Sequence, residues 1–316
     1  MIKPPIPSNE QERLETLRAM QILDSSPEER YDRLTRLAQR LFNVPIVAIS
    51  LIDENRQWFK SIQGLAATET SRDISFCGHA INGNDVMVVN DALKDHRFVD
   101  NPFVVQDPHI RFYAGYPIES QKMKMGTLCL IDKKPRELSG VELSLLQNLG
   151  RLVENEMGQN EESFANDISG ESEQRFFLRV LRYVMEFSRA MNYPMGMLIV
   201  HIPEAISALD GKPIIRDRMM VEVAKLLGRT LRQSDIVGAL GNDSFYAFLP
   251  KCDVLGAEIV TSRLNQNFAD LKERLACSSE FDLRLGQLIW TPENSDTAED
   301  MIKKGLKLLE EIRFEN

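Results

Sequence analysis

Apolar residues follow two rhythms along this chain. Spacing of three or four marks helices. Leu14, Leu17, Ile22 and Leu23 form a stripe over 10–23. Leu34, Leu37, Ala38 and Leu41 form a second one, opened by Pro27. Leu143, Leu146, Leu149, Val153 and Met157 line a third over 138–157. Between them, short apolar runs at 44–53, 58–64, 86–92, 113–118 and 124–132 predict strands, with a helical piece near 76–81. Helices flanking a mostly antiparallel sheet predict an α+β domain over 1–157.

Residues 158–173 are polar and predict a connector. A second α+β pattern follows over 174–316. Its helices are expected near 174–191, 217–231, 256–275 and 298–313, and its strands at 195–202 and 282–290. The first of these strands is apolar at nearly every position, as expected when both faces are covered. The stretch 231–250 carries two strand-like runs around Gly241-Asn242-Asp243, which predicts a β-hairpin with a polar tip.

Composition narrows the picture. The 316 residues suit two domains of ordinary size, and 43% hydrophobic content suits folded ones. A net charge of −9 argues against nucleic acid or an anionic membrane as partner. No run approaches the length of a membrane-spanning helix, and the first residues lack the apolar core of a signal peptide, so a cytoplasmic location is expected. Cys77, Cys129, Cys252 and Cys277 are widely spaced, so no structural metal site and no disulfide framework is expected.

The candidate chemistry of the first domain is a pocket at Cys77, His79, Arg111 and Tyr113. Cys77 and His79 read either as a thiol with an imidazole partner or as two packed core residues. Arg111 reads either as a pocket cation or as a tie to Asp95 or Asp100.

The segments SFCGHAI (75–81), DHRFVDNP (95–102), RFYAGYPI (111–118) and GTLCLIDKKPREL (126–138) resemble the GAF family. The resemblance implies a sensory or dimerisation module, with an unnamed small-molecule ligand. In that arrangement the Leu143–Met157 seam is expected to pair two copies as a homodimer, to pack on its own sheet, or both.

The helix–hairpin–helix of the second domain resembles the GGDEF family of diguanylate cyclases, which join two GTP molecules into cyclic di-GMP. The family signature is Gly-Gly-Asp/Glu-Glu-Phe. Here the tip reads Gly241-Asn242-Asp243-Ser244-Phe245. The resemblance puts His201 and Pro203 at metal-binding acidic positions, and Ile312 near the place of a phosphate-binding Lys. Asp210 and Asp217 are the candidates for guanine recognition. An imidazole cannot replace a carboxylate for Mg²⁺. Arg232 and Asp235 match the family's Arg-x-x-Asp product-binding site, with Arg263 on the next helix. The resemblance therefore implies a signalling protein without cyclase activity, metal or cofactor. It would bind cyclic di-GMP at Arg232, Asp235 and Arg263, or act on a protein partner. A surviving cyclase and a scaffold that binds no nucleotide remain open as alternatives.

Overall fold

The computed structural model describes residues 1–158, 171–202, 213–240, 243–274 and 283–314. They form two compact units, 1–166 and 167–316. The stretch 159–170, most of the expected connector, lies outside the described residues.

The first unit is a six-stranded antiparallel sheet. In chain order its strands are β1 (Ile46–Ile52), β2 (Arg56–Gln63), β3 (Glu69–Ser71), β4 (Met87–Val89), β5 (Phe112–Ser120) and β6 (Met123–Asp132). In space they run β3-β2-β1-β6-β5-β4. β1 is buried along its whole length because both sheet faces are covered. Helices α2 (Glu29–Phe42) and α5 (Gly140–Gly158) pack on one face, and the short α3 (Phe76–Ala80) on the other. α1 (Glu10–Ala19) and α4 (Pro102–Val105) complete the unit.

Three expectations change here. The first helix ends at Ala19 rather than Leu23, because Gln21 and Asp24 take left-handed backbone conformations at φ 51° and 59°. The strand expected over 86–92 shrinks to three residues. The apolar seam of α5 is consumed inside the unit: Leu146, Leu149 and Val153 are 0% exposed, packed toward α2 and β5. Only its ends differ, with Leu143 half-buried and Met157 at the edge of burial. Those three residues offer no surface to a second copy.

The second unit has the strands β7 (Met195–His201), β8 (Ile236–Ala239), β9 (Ser244–Pro250) and β10 (Arg284–Trp290), antiparallel in the order β10-β7-β9-β8. Its helices are α6 (Glu171–Ala190), α7 (Pro213–Thr230), α8 (Val254–Arg274) and α9 (Ala298–Phe314). One sheet face, with Leu198, Val200, Phe245, Ala247 and Leu249, packs on α7 and α8. The other packs on α6 and α9. There Phe177 meets Tyr246 edge-on with ring centres 4.4 Å apart. Gly238 in β8 makes room for that ring, since a Cβ there would lie 2.4 Å from Phe177.

Candidate functional site

The tip of the β8–β9 hairpin is docked onto the end of β7. His201 stands opposite Ser244 in the β7–β9 ladder and opposite Arg284 in the β7–β10 ladder. The Asp243 carbonyl accepts from the Ile202 amide at 2.8 Å. These backbone bonds bring four side chains together. Ser244 Oγ donates to Asp243 Oδ1 at 2.8 Å, so His201 Nδ1, 3.0 Å from that hydroxyl, is its donor. Arg313 Nη2, from the last turn of α9, donates to both Asp243 oxygens at 2.7 and 2.9 Å. Arg284 donates to the Ile312 carbonyl at 2.9 Å and also bonds that of Arg313, which fixes the helix end above the tip.

The electrostatics follow from this geometry. Burial alone would raise the Asp243 carboxyl, but the bonds from Ser244 and Arg313 outweigh it and hold it below the ordinary carboxylate range. Burial lowers the His201 imidazole, with Asp243 opposing and Arg313 and Arg284 assisting. His201 is therefore neutral at pH 7, and Arg313 is a full positive charge bonded to Asp243.

A second corner forms where α7 ends. The Arg232 amide donates to Asp235 Oδ2 at 2.8 Å, and the Asp235 amide donates back to the Arg232 carbonyl at 2.9 Å. Arg263 Nη2, from α8, donates to the Thr230 carbonyl at 2.7 Å, a favourable place for a cation at a helix C-terminus. Arg232, Asp235 and Arg263 thus share one corner. Asp235 and Arg263 hold the fold there, while the exposed Arg232 guanidinium has no partner among the described residues.

In the first unit, Cys77 bonds Tyr113 Oη at 3.3 Å and lies 3.8 Å from the Cys129 sulfur. His79 turns away, with Nε2 3.0 Å from the Ile2 carbonyl. Arg111 donates to the carbonyls of Val104 and Ile110 at 2.9 and 3.0 Å. Asp95 is instead paired with Arg97, and Asp100 with the Met1 amino group. The four residues expected to line one pocket therefore separate. Cys77 and Tyr113 stay together in the core, while His79 and Arg111 each hold backbone elsewhere.

The GAF domain model matches residues 26–157, and the model described as diguanylate cyclase, GGDEF domain, matches 173–314. The chain carries a GAF domain followed by a GGDEF domain. A cyclic di-GMP phosphodiesterase of Pseudomonas aeruginosa is 39% identical over 155 residues, which cover 48% of this chain and 26% of that protein. The match spans about a quarter of that relative's length. Among solved structures, the GAF domain of an Acinetobacter phosphoenolpyruvate-protein phosphotransferase is 22% identical. It covers 46% of this chain and 92% of its own, at a TM-score of 0.35. PelD of Pseudomonas aeruginosa in complex with c-di-GMP is 14% identical. It covers 98% of this chain and 99% of its own, at a TM-score of 0.37.

The GGDEF family implies a divalent ion at the hairpin tip, and the described residues do not fit one. Mg²⁺ requires near-octahedral hard oxygen donors. Both Asp243 oxygens already accept from Arg313, and among the described residues an imidazole and a hydroxyl stand beside them. Among the described residues, no group of three or more His, Cys, Asp or Glu could hold a metal. Gly241, Asn242, Pro203 and Asp210 lie outside the described residues, and Asp217 is described in backbone only. Phe245 is a core residue of the GGDEF domain.

One residue of this site escaped the sequence reading. Ile312, expected near a cation position, is buried in the core at 5% exposure. The neighbouring Arg313 reaches the tip instead. An apolar cavity of about 500 Å³ in the GGDEF domain, lined by Phe177, Met197, Ile199, Tyr246 and Gly305 among others, also had no sequence signal.

Proposed function

We propose that this protein is a cyclic di-GMP receptor. In this reading 1–157 form a GAF sensor, 158–173 a connector, and 174–316 a GGDEF domain that binds cyclic di-GMP without making it. The observation that carries the loss of turnover is Arg313 on Asp243. Phosphoryl transfer depends on positioning and charge neutralisation by metal. With both oxygens of Asp243 engaged and His201 in place of an acid, the tip cannot hold an ion against GTP phosphates. Each missing group costs on the order of 10²–10³ in rate, by analogy with deleted transition-state donors.

Binding is assigned to the corner at Arg232, Asp235 and Arg263. A guanidinium pairs bidentately with guanine O6 and N7, and the exposed Arg232 guanidinium has no partner there among the described residues. Asp235 and Arg263 shape the turn and the helix end around it. The same two fold-holding roles favour a second reading, in which the corner is purely structural and the domain acts on a protein partner.

The experiment for the loss of turnover is incubation of the full chain with GTP and Mg²⁺ or Mn²⁺, followed by chromatography. No cyclic di-GMP above a protein-free control is expected. Steady product formation would overturn the reading.

A further inference from the structure

Beneath α3 of the GAF domain, an otherwise apolar core contains a cluster of thiols and hydroxyls. Cys77 on α3 and Cys129 in the middle of β6 are both buried, with sulfur atoms 3.8 Å apart. Tyr113 Oη donates to the Cys77 sulfur at 3.3 Å. Ser50 and Thr127, fully buried, lie beside them with their hydroxyls 3.2 Å from one another. Around them lie Ala48, Ile52, Phe76, Ala80 and Phe98. Gly115, opposite Cys129 in the β5–β6 ladder, leaves room for the tyrosine, since a Cβ there would lie 2.1 Å from Tyr113 Oη.

Buried hydroxyls are costly unless bonded, so packing alone does not account for this arrangement. The Tyr113 hydroxyl donating to the Cys77 sulfur favours its charged form. Burial pushes the Cys77 thiol up, but bonds from Cys129, Ser50, Thr127 and Tyr113 outweigh it and bring it below its ordinary range. Cys129 is pushed up, first by its bond to Cys77 and then by burial. Cys77, which accepts from the Tyr113 hydroxyl, is placed as the nucleophile, with the Cys129 sulfur in contact with it.

We propose that Cys77 and Cys129 form a redox pair that hydrogen peroxide converts into a disulfide. The Cys77 thiolate attacks the peroxide. A sulfur–oxygen bond forms, the O–O bond breaks, and the departing hydroxide takes up a proton to leave as water. The Cys129 sulfur then attacks the resulting sulfenic sulfur. The S–S bond forms, the S–O bond breaks, and the hydroxyl leaves as a second water with the Cys129 proton. Two thiols lose two electrons, and one peroxide becomes two waters. The sulfurs must close from 3.8 Å to about 2.05 Å. Only the five-residue α3 and its overlying leader need adjust, because Cys129 sits in a central strand. That leader rests on α3, with Pro4 packed over Gly78 and the Ile2 carbonyl bonded to His79.

The test treats the reduced full chain with hydrogen peroxide, then alkylates under denaturing conditions and maps peptides by mass spectrometry. The expected product is a Cys77–Cys129 linked peptide, reversed by dithiothreitol, with Cys252 still alkylated. In Cys129→Ala, Cys77 is expected to stop as a sulfenic acid trapped by dimedone. Circular dichroism checks that this variant folds, and the wild-type map does not depend on it. Recovery of both Cys77 and Cys129 as alkylated thiols, or linkage spread equally to Cys252, would overturn the proposal.

Discussion

Arg313 Nη2 stands 2.7 and 2.9 Å from the two carboxylate oxygens of Asp243. The pair joins the last turn of α9 to the hairpin tip. The Arg313 side chain is 37% exposed, so water screens the pair and its coupling is modest. A double-mutant cycle with Arg313→Ala and Asp243→Ala should give a coupling of about 1 kcal/mol. Urea unfolding followed by fluorescence measures it. Additive effects of the two substitutions would show that the contact contributes nothing.

The same network predicts a pH dependence. The folded-state pKa of His201 is lowered, first by burial. As the pH falls, the unfolded chain therefore takes up this proton before the folded one does. The stability is fully present above about pH 6.5, the ordinary imidazole value, and is lost as the pH falls through the lower folded value. Asp243, also lowered, adds a further loss below about pH 4. Thermal melts between pH 7 and 5 should show a steeper fall for wild type than for His201→Asn. Parallel curves would exclude His201 as the source.

Gly238 tests the packing that sets the hairpin. A Cβ there meets Phe177 at 2.4 Å and Tyr246 at 2.9 Å. Gly238→Ala should destabilise the GGDEF domain by roughly 1–3 kcal/mol, the usual cost of overpacking. Chemical denaturation measures this, and Phe177→Leu should relieve part of it by shortening the opposing side chain.

In the GAF domain, Glu10 accepts from both Arg13 and Arg72, and Arg13 is buried. Burial pushes Glu10 up, but the two arginines outweigh it and bring it down to about 2. Its contribution is present above about pH 4.3 and is lost as the pH falls toward 2. Glu10→Gln should cost on the order of 3 kcal/mol at pH 7, because it strands buried guanidinium charge. Denaturant unfolding of the two proteins at pH 7 and pH 3 should show the gap narrowing in acid.

The sequence carried much of this account. The alternation around 231–250 and the apolar strand at 195–202 were legible because burial repeats at fixed periods. His201 and Ser244 were visible as departures from a signature. Arg313 was not, because one residue on a helix turns about 100°. Whether Ile312 or Arg313 faces the tip depends on how α9 sits on the sheet. Leu146 and Leu149 announced an apolar face on α5 but not what covers it. The contact of Cys77 with Cys129, 52 positions apart, depends on α3 packing over β6, which neither local pattern encodes. Glu69–Ser71 and Pro102–Val105 are too short to show any period.

The most direct test of the receptor reading is calorimetric titration of the full chain with cyclic di-GMP, wild type against Arg232→Ala. Arg232 is exposed and, among the described residues, its side chain supports nothing else, so the variant should fold normally. Loss of an Arg–guanine pair costs roughly 1–3 kcal/mol, or about tenfold to a hundredfold in affinity. The account predicts binding by wild type and a weakening of that size in the variant. Absence of binding by wild type, or equal affinity in both proteins, would contradict it.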